Sequence, residues 1–206
     1  PDIWPMIWIS TGIVSSLRIA YLIKTNKKFS LYKELLSLIF IIYILCLYHV
    51  VTFQDINYGV SNFIPFKEIF RYSIGSSKFI KNILGNILLF IPFGFFTSYF
   101  LKVNKIKAPI ILTFITSFTI EIVQYYIGRV FDIDDIILNL IGGILGFFLY
   151  VSFNAIKAKL PKVFKSDLFL NILIIIIIVL IISYSFNLNI FSIFNWYKEN
   201  YNVWNN

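Results

Sequence analysis

The sequence predicts an all-α polytopic membrane protein with about six transmembrane helices. Five is the alternative count, and a short interfacial helix is expected in the second loop. Three observations carry this reading. Of 206 residues, 59% are hydrophobic and only 14% are charged, against about half and about a quarter in a soluble domain. Several stretches of about 20 residues are almost free of charge, which is the signal of a membrane span. The lysines gather in alternate loops between those stretches. Disorder is excluded, because it requires low hydrophobicity. Six spans take up roughly 120 residues, so 1–206 reads as a single transmembrane domain, not a soluble domain with an anchor.

Span one covers about 3–23, with Thr11, Ser15 and Arg18 on one face. Arg18 is placed to snorkel toward nearby lysines. The sequence starts at Pro1, as a trimmed or processed chain would, and no signal peptide is visible. Span two covers about 35–53. It holds the single cysteine, Cys46, which excludes an intrachain disulfide and a cysteine-based metal cluster. It also holds His49, one turn below the membrane surface, where a satisfied interface residue is commoner than an acid–base catalyst.

Loop two, about 54–82, places Phe66, Ile69, Phe70 and Ile74 at helical spacing, near Lys67, Arg71 and Lys78. That pattern predicts an amphipathic helix on the membrane surface. Span three, about 83–101, has Asn82 and Asn86 one turn apart at its start and Pro92 in its interior. Proline removes a backbone hydrogen bond there and is expected to kink the helix. Span four covers about 108–127 and span five about 133–153. Span six, about 168–186, is nearly uniform isoleucine between Ile172 and Ile182, as a lipid-facing helix would be. The tail from Asn187 to Asn206 is rich in Phe, Tyr, Trp and Asn and reads as an interfacial aromatic segment. No internal repeat is evident.

The net charge is +8. In a soluble protein this would raise the question of nucleic acid. Here Lys24, Lys27, Lys28 and Lys33 lie in loop one, Lys102, Lys105 and Lys107 in loop three, and Lys157, Lys159, Lys162 and Lys165 in loop five. The positive-inside rule puts those loops in the cytoplasm. Both termini and loops two and four then face outward, and no nucleic-acid partner is expected.

An ionisable group at a helix centre costs about 2.5–3.5 kcal/mol on insertion scales, so the polar positions are informative. Thr113, Ser117, Glu121, Gln124 and Gly128 form one face of span four. Asp135, Asn139, Gly142 and Gly146 form one face of span five. The two glycines are a small-xxx-small pair that lets another helix approach. Asp134 and Asp135 stand at a helix N-terminus, where carboxylates cap amides and offset the dipole. Capping alone does not require three acids in "DIDD" beside Arg129. Asn62, Asn86, Glu121, Gln124, Arg129, Asp132, Asp135 and Asn139 all map to the outward half, so a ligand site is expected to open there.

The segments "NFIPF" (Asn62 to Phe66), "NILLFIPFGFF" (Asn86 to Phe96) and "IEIVQYYIGRVFDIDDIILNLIGGILG" (Ile120 to Gly146) resemble the motifs of the VanZ-like family. The resemblance covers about 62–146, which would be the motif-bearing core. It implies a multi-pass bacterial cell-membrane protein linked to lipoglycopeptide resistance, and it assigns no catalytic residue. Asn62, Pro65, Asn86, Pro92, Glu121, Gln124, Arg129, Asp132, Asp135 and Asn139 match its polar pattern.

Three functions compete. In the first, the outward polar site binds a teicoplanin-type lipoglycopeptide or a cell-envelope lipid and lowers susceptibility to the drug. In the second, the protein is an enzyme acting on a lipid-linked or cell-wall precursor. Glu121 or Asp135 would then be the general base and Arg129 would hold a phosphate. No cofactor is required, although Glu121, Asp132 and Asp135 could form a hard-oxygen site for Mg²⁺ or Ca²⁺. No Ser-His-Asp spacing, HExxH, Walker A or dinucleotide motif is present. The third is a transporter or flippase, which fits Pro92 and Glu121 but lacks repeats.

Overall fold

The computed structural model of the chain describes residues 4–25, 29–52, 61–71, 73 and 75–185. Six helices are long and apolar enough to cross a membrane. They are α1 (Trp4–Thr25), α2 (Leu31–Thr52), α3 (Gly85–Leu101), α4 (Lys107–Tyr126), α5 (Ile133–Lys159) and α6 (Asp167–Ser185). In lipid every backbone polar group needs a partner within the protein, and a helix supplies its own. The chain is a multi-pass helical membrane protein, with six spans among the described residues, where five was the alternative. The aromatic tail from Asn187, together with Lys27, Lys28 and Ile74, lies outside the described residues.

Each helix has a local reason to start or stop. The region before α3 begins at Ser76, whose hydroxyl accepts the Phe79 amide at 3.1 Å. A π-helical turn, Ile80–Leu84, then runs into α3. This span ends at Lys102, which turns left-handed (φ 50°) and closes on the Ser98 carbonyl. α4 ends at Gly128, whose φ of 88° favours glycine. Gly128 is therefore a helix terminator, and its membership of the polar face is incidental. α5 has 27 residues and is about 40 Å long. It outruns the hydrocarbon layer, and its lysines Lys157 and Lys159 lie in the last turn.

The chain forms two compact units: residues 1–19 with 38–159, and residues 20–37 with 160–206. In the smaller unit, the start of α2 meets the start of α6. Asn171 Oδ1 accepts the Tyr32 amide at 3.0 Å, and Asp167 pairs with Lys33 at 2.7 Å. That ion pair is half exposed, so water screens it and it contributes little to stability. The apolar stretch of α6 has no buried residue, consistent with its isoleucine run facing lipid.

The larger unit holds the core. α5 lies against both α3 and α4 with almost no side chain between them. A Cβ on Gly142 would fall on the Ile87 carbonyl, and one on Gly146 on the Ile91 carbonyl. A Cβ on Gly94 would fall on the Gly143 carbonyl, and one on Gly143 on the Thr113 side chain. The small-xxx-small pair thus brings two backbones together. Leu47, Phe90 and Phe93 fill the space beside them, with Tyr43, Leu112 and Ile120 packed around. Pro92 interrupts the backbone ladder of α3, leaving the Leu88 carbonyl without its helical donor. The Tyr43 hydroxyl donates to the next carbonyl, Leu89, at 2.6 Å.

The expected amphipathic helix of loop two does not form in 61–71. Phe66 is left-handed (φ 68°), and only one 3₁₀ turn follows, Ile69–Arg71. The amides that would have started a helix go elsewhere, to Asp134, as described below. The exposed Phe63, Ile64, Phe66 and Phe70 still give this segment an apolar surface.

Gly146→Ala should lower stability in detergent by about 1–3 kcal/mol or more, because the new methyl meets backbone on α3. Gly12→Ala, with nothing within 4 Å, should leave the melting temperature unchanged or slightly raised. Thermal unfolding of the two variants checks this.

Candidate functional site

Three helices deliver polar groups to one end of the larger unit. It is the end opposite the lysine-rich turn at 102–107. α3 brings Asn86 in its first turn. α4 brings Glu121 and Gln124 near its end. The α4–α5 turn brings Arg129, and α5 brings Asp135 and Asn139. These six residues line one cavity of about 40 Å³, whose remaining walls include Leu47, Leu89, Phe90 and Ile120. The cavity has room for one or a few water-sized occupants.

Glu121 is fully buried at 1% exposure, and both its oxygens are served. Oε2 accepts the Asp132 backbone amide at 2.9 Å. With the Gln124 amide oriented to suit its neighbours, its nitrogen donates to Glu121 Oε1 at 3.0 Å and its oxygen accepts from Arg129 Nη1 at 2.7 Å. Arg129 therefore reaches Glu121 through Gln124. Asp135 accepts from Asn86 Nδ2. Asn139 donates through Nδ2 to the Ser117 hydroxyl at 2.9 Å. The polar face read along α4 is thus continuous from Ser117 to Gln124 and is buried throughout.

Asn62 and Asp132 do not line the cavity. They form a bracket beside it. The Asn62 amide donates to the Phe131 carbonyl at 2.8 Å, and the Asn62 carbonyl accepts the Ile133 amide at 3.0 Å. The Asn62 side chain donates to Asp132 Oδ1 at 2.9 Å, which also accepts the Asp134 amide at 2.9 Å. Asp132 is thus the N-terminal cap of α5. Of the two readings open for Asp134 and Asp135, capping of that helix falls instead to Asp132. Burial pushes the Asp132 carboxyl above its ordinary 3.8, against the hydrogen bonds from Asn62 and the Asp134 amide.

Asp134 is the residue whose role the sequence did not disclose. It is 1% exposed, and its carboxylate accepts three amides of loop two: Phe66, Glu68 at 2.7 Å and Ile69 at 3.2 Å. A buried carboxylate needs such donors, and three amides of one tight loop supply them. The only hint in the sequence is the excess of acids in "DIDD".

The three acids of the proposed Mg²⁺ or Ca²⁺ set do not converge. Among the described residues, no group of three His, Cys, Asp or Glu side chains is placed to hold a metal ion. Asp132 is turned to Asn62, away from the cavity that Glu121 and Asp135 share. His49 does not line the cavity either.

A family model described as VanZ/LLP1 matches residues 37–155. No curated protein and no solved structure matches the chain.

The bracket and the Asp134 clamp separate by mutation. Asp134→Ala takes the shared acceptor from three partly buried amides, each charge-assisted bond contributing about 1.5–3 kcal/mol. It should make the exposed Lys67 and Arg71 sites of loop two readily cut by trypsin. Asp132→Asn retains an oxygen for both of its donors and removes a charge that burial disfavours. Because the folded-state pKa is raised, ionised Asp132 costs stability as pH rises through and above 3.8. At neutral pH Asp132→Asn should therefore resist trypsin as the native chain does and melt no lower. Limited proteolysis and thermal unfolding on both variants check this.

Proposed function

The chain belongs to the VanZ/LLP1 family, and from that premise we propose that it lowers bacterial susceptibility to teicoplanin-type lipoglycopeptides. It acts from the cell membrane, through the polar cavity at the shared end of α3, α4 and α5. The observation that carries this reading is the burial of Glu121, Gln124 and Asn139 in a helical core that spans lipid. Ionisable groups in such a place are expensive and mark ligand sites. The lysine-rich loops put this end on the outer side by the positive-inside rule, where the drug and its lipid-linked targets are found.

The size of the cavity narrows the ligand. Pockets that engulf drug-sized molecules have about 300–1,000 Å³, and this one has about 40 Å³. A lipoglycopeptide does not fit inside it. A polar group of a cell-envelope lipid does, so the reading favours a lipid headgroup over the drug as the molecule engaged. Drug access then falls because the lipid at the membrane surface is held or altered.

One observation favours a second reading. Glu121, Asp135 and Arg129 line the same cavity, a set able to hold a phosphate and accept a proton. A membrane enzyme acting on a lipid-linked or cell-wall precursor would use them so. Turnover of lipid-linked precursors by the purified protein, with Mg²⁺ supplied, would identify it.

The test is teicoplanin susceptibility in a sensitive Gram-positive host, at matched membrane levels. The chain should raise the inhibitory concentration over empty vector. Glu121→Gln and Asp135→Asn, which preserve shape and remove charge, should fall to the vector level. Equal susceptibility in all four strains would sink the resistance reading.

A further inference from the structure

The charges around the cavity do not balance. Glu121 and Asp135 bring two carboxylates, and Arg129 brings one guanidinium. The guanidinium is already engaged with the Gln124 oxygen. The other nearby acids are served outside the cavity, Asp134 by three loop amides and Asp132 by Asn62. With its groups ionised, the cavity carries one excess negative charge in a low-dielectric core, where an uncompensated charge is costly.

A second observation is independent of charge. Asn139 is 4% exposed, lines the cavity, and spends its amide nitrogen on Ser117. Its Oδ1 is buried and receives no donor among the described residues. Such an acceptor is costly unless something fills it. Asn139 stands one helical turn from Asp135, so this oxygen and that carboxylate share a face of α5.

We propose that the cavity binds one monovalent cation, held by the carboxylates of Glu121 and Asp135 and by Asn139 Oδ1. One other filling competes: a proton on one carboxylate balances the charge and a water beside it serves Asn139, and that pair predicts no response to the identity of the salt. A divalent ion overshoots the charge. A single positive centre meets both needs within about 40 Å³. It is either an alkali ion or the ammonium end of a lipid headgroup, which present the same chemistry to these oxygens. The inference rests on the site of the function proposed above and not on the drug phenotype, so each can fail alone.

The experiment is thermal unfolding of the purified full chain at constant ionic strength. Sodium, potassium, lithium, methylammonium and magnesium chlorides are each compared with bulky N-methyl-D-glucamine chloride. A small monovalent cation at ten times its dissociation constant should raise the melting temperature by about 3–6 °C, saturably. Asn139→Leu and Asp135→Asn should each abolish the rise. Stabilisation by an alkali ion identifies the inorganic source, and by methylammonium alone the headgroup source. Equal melting in all salts overturns the proposal. So does stabilisation by magnesium alone, or a rise that persists undiminished in both variants. The wild-type comparison decides even where a variant fails to fold. A cation effect in a chain that confers no teicoplanin protection would leave this inference standing and remove the resistance reading.

Discussion

The contact on which the rest depends is the backbone of α5 lying against the backbone of α3. Gly142 and Gly146 meet the carbonyls of Ile87 and Ile91, and Gly94 meets Gly143. In lipid no hydrophobic force draws two helices together, because the solvent is as apolar as the side chains. Close packing and weak Cα–H···O contacts must do it, and both require small residues. The same glycine row fixes depth and register. With Gly142 on Ile87, Asn86 falls beside Asp135, and Gly143 leaves room for Thr113 of α4. The polar ends of three helices then coincide.

Once the helices are so placed, the acids must find donors, and the way they do so builds the surroundings of the cavity. Three aspartates in four residues take three different tasks. Asp132 caps α5 and receives Asn62. Asp134 gathers the amides of loop two. Asp135 turns inward to Asn86 and the cavity. Glu121 takes an amide from the α4–α5 turn and the Gln124 nitrogen. The loop is therefore shaped by the helix it crosses, and the bracket stands beside the cavity without lining it.

These physical causes separate what was legible in the sequence from what was not. The spans were legible because length and hydropathy are local, and their limits agree with the structure within a few residues for all but the start of α2 and the end of α5. The polar face of α4 was legible because 3.6-residue spacing puts Ser117, Glu121 and Gln124 in line, and the glycine pair for the same reason. Loop two was not. Phe66, Ile69 and Phe70 have helical spacing, yet Asp134, 66 residues away in sequence from Glu68, competes for the amides a helix would need. Nothing local announces that. The division of labour within "DIDD" was equally hidden, because neighbouring residues on a helix point about 100° apart and only the folded neighbours decide which donor each one meets.

The central claim is that the polar end of α3, α4 and α5 opens on the outer side of the membrane. Single-cysteine labelling in intact cells tests it most directly, in a Cys46→Ser background with a membrane-impermeant maleimide. Phe63→Cys, on the loop bracketed to α5, should label without permeabilisation, and Lys105→Cys, at the opposite end, should label only after it. The reverse pattern would place the cavity on the cytoplasmic side and contradict the account.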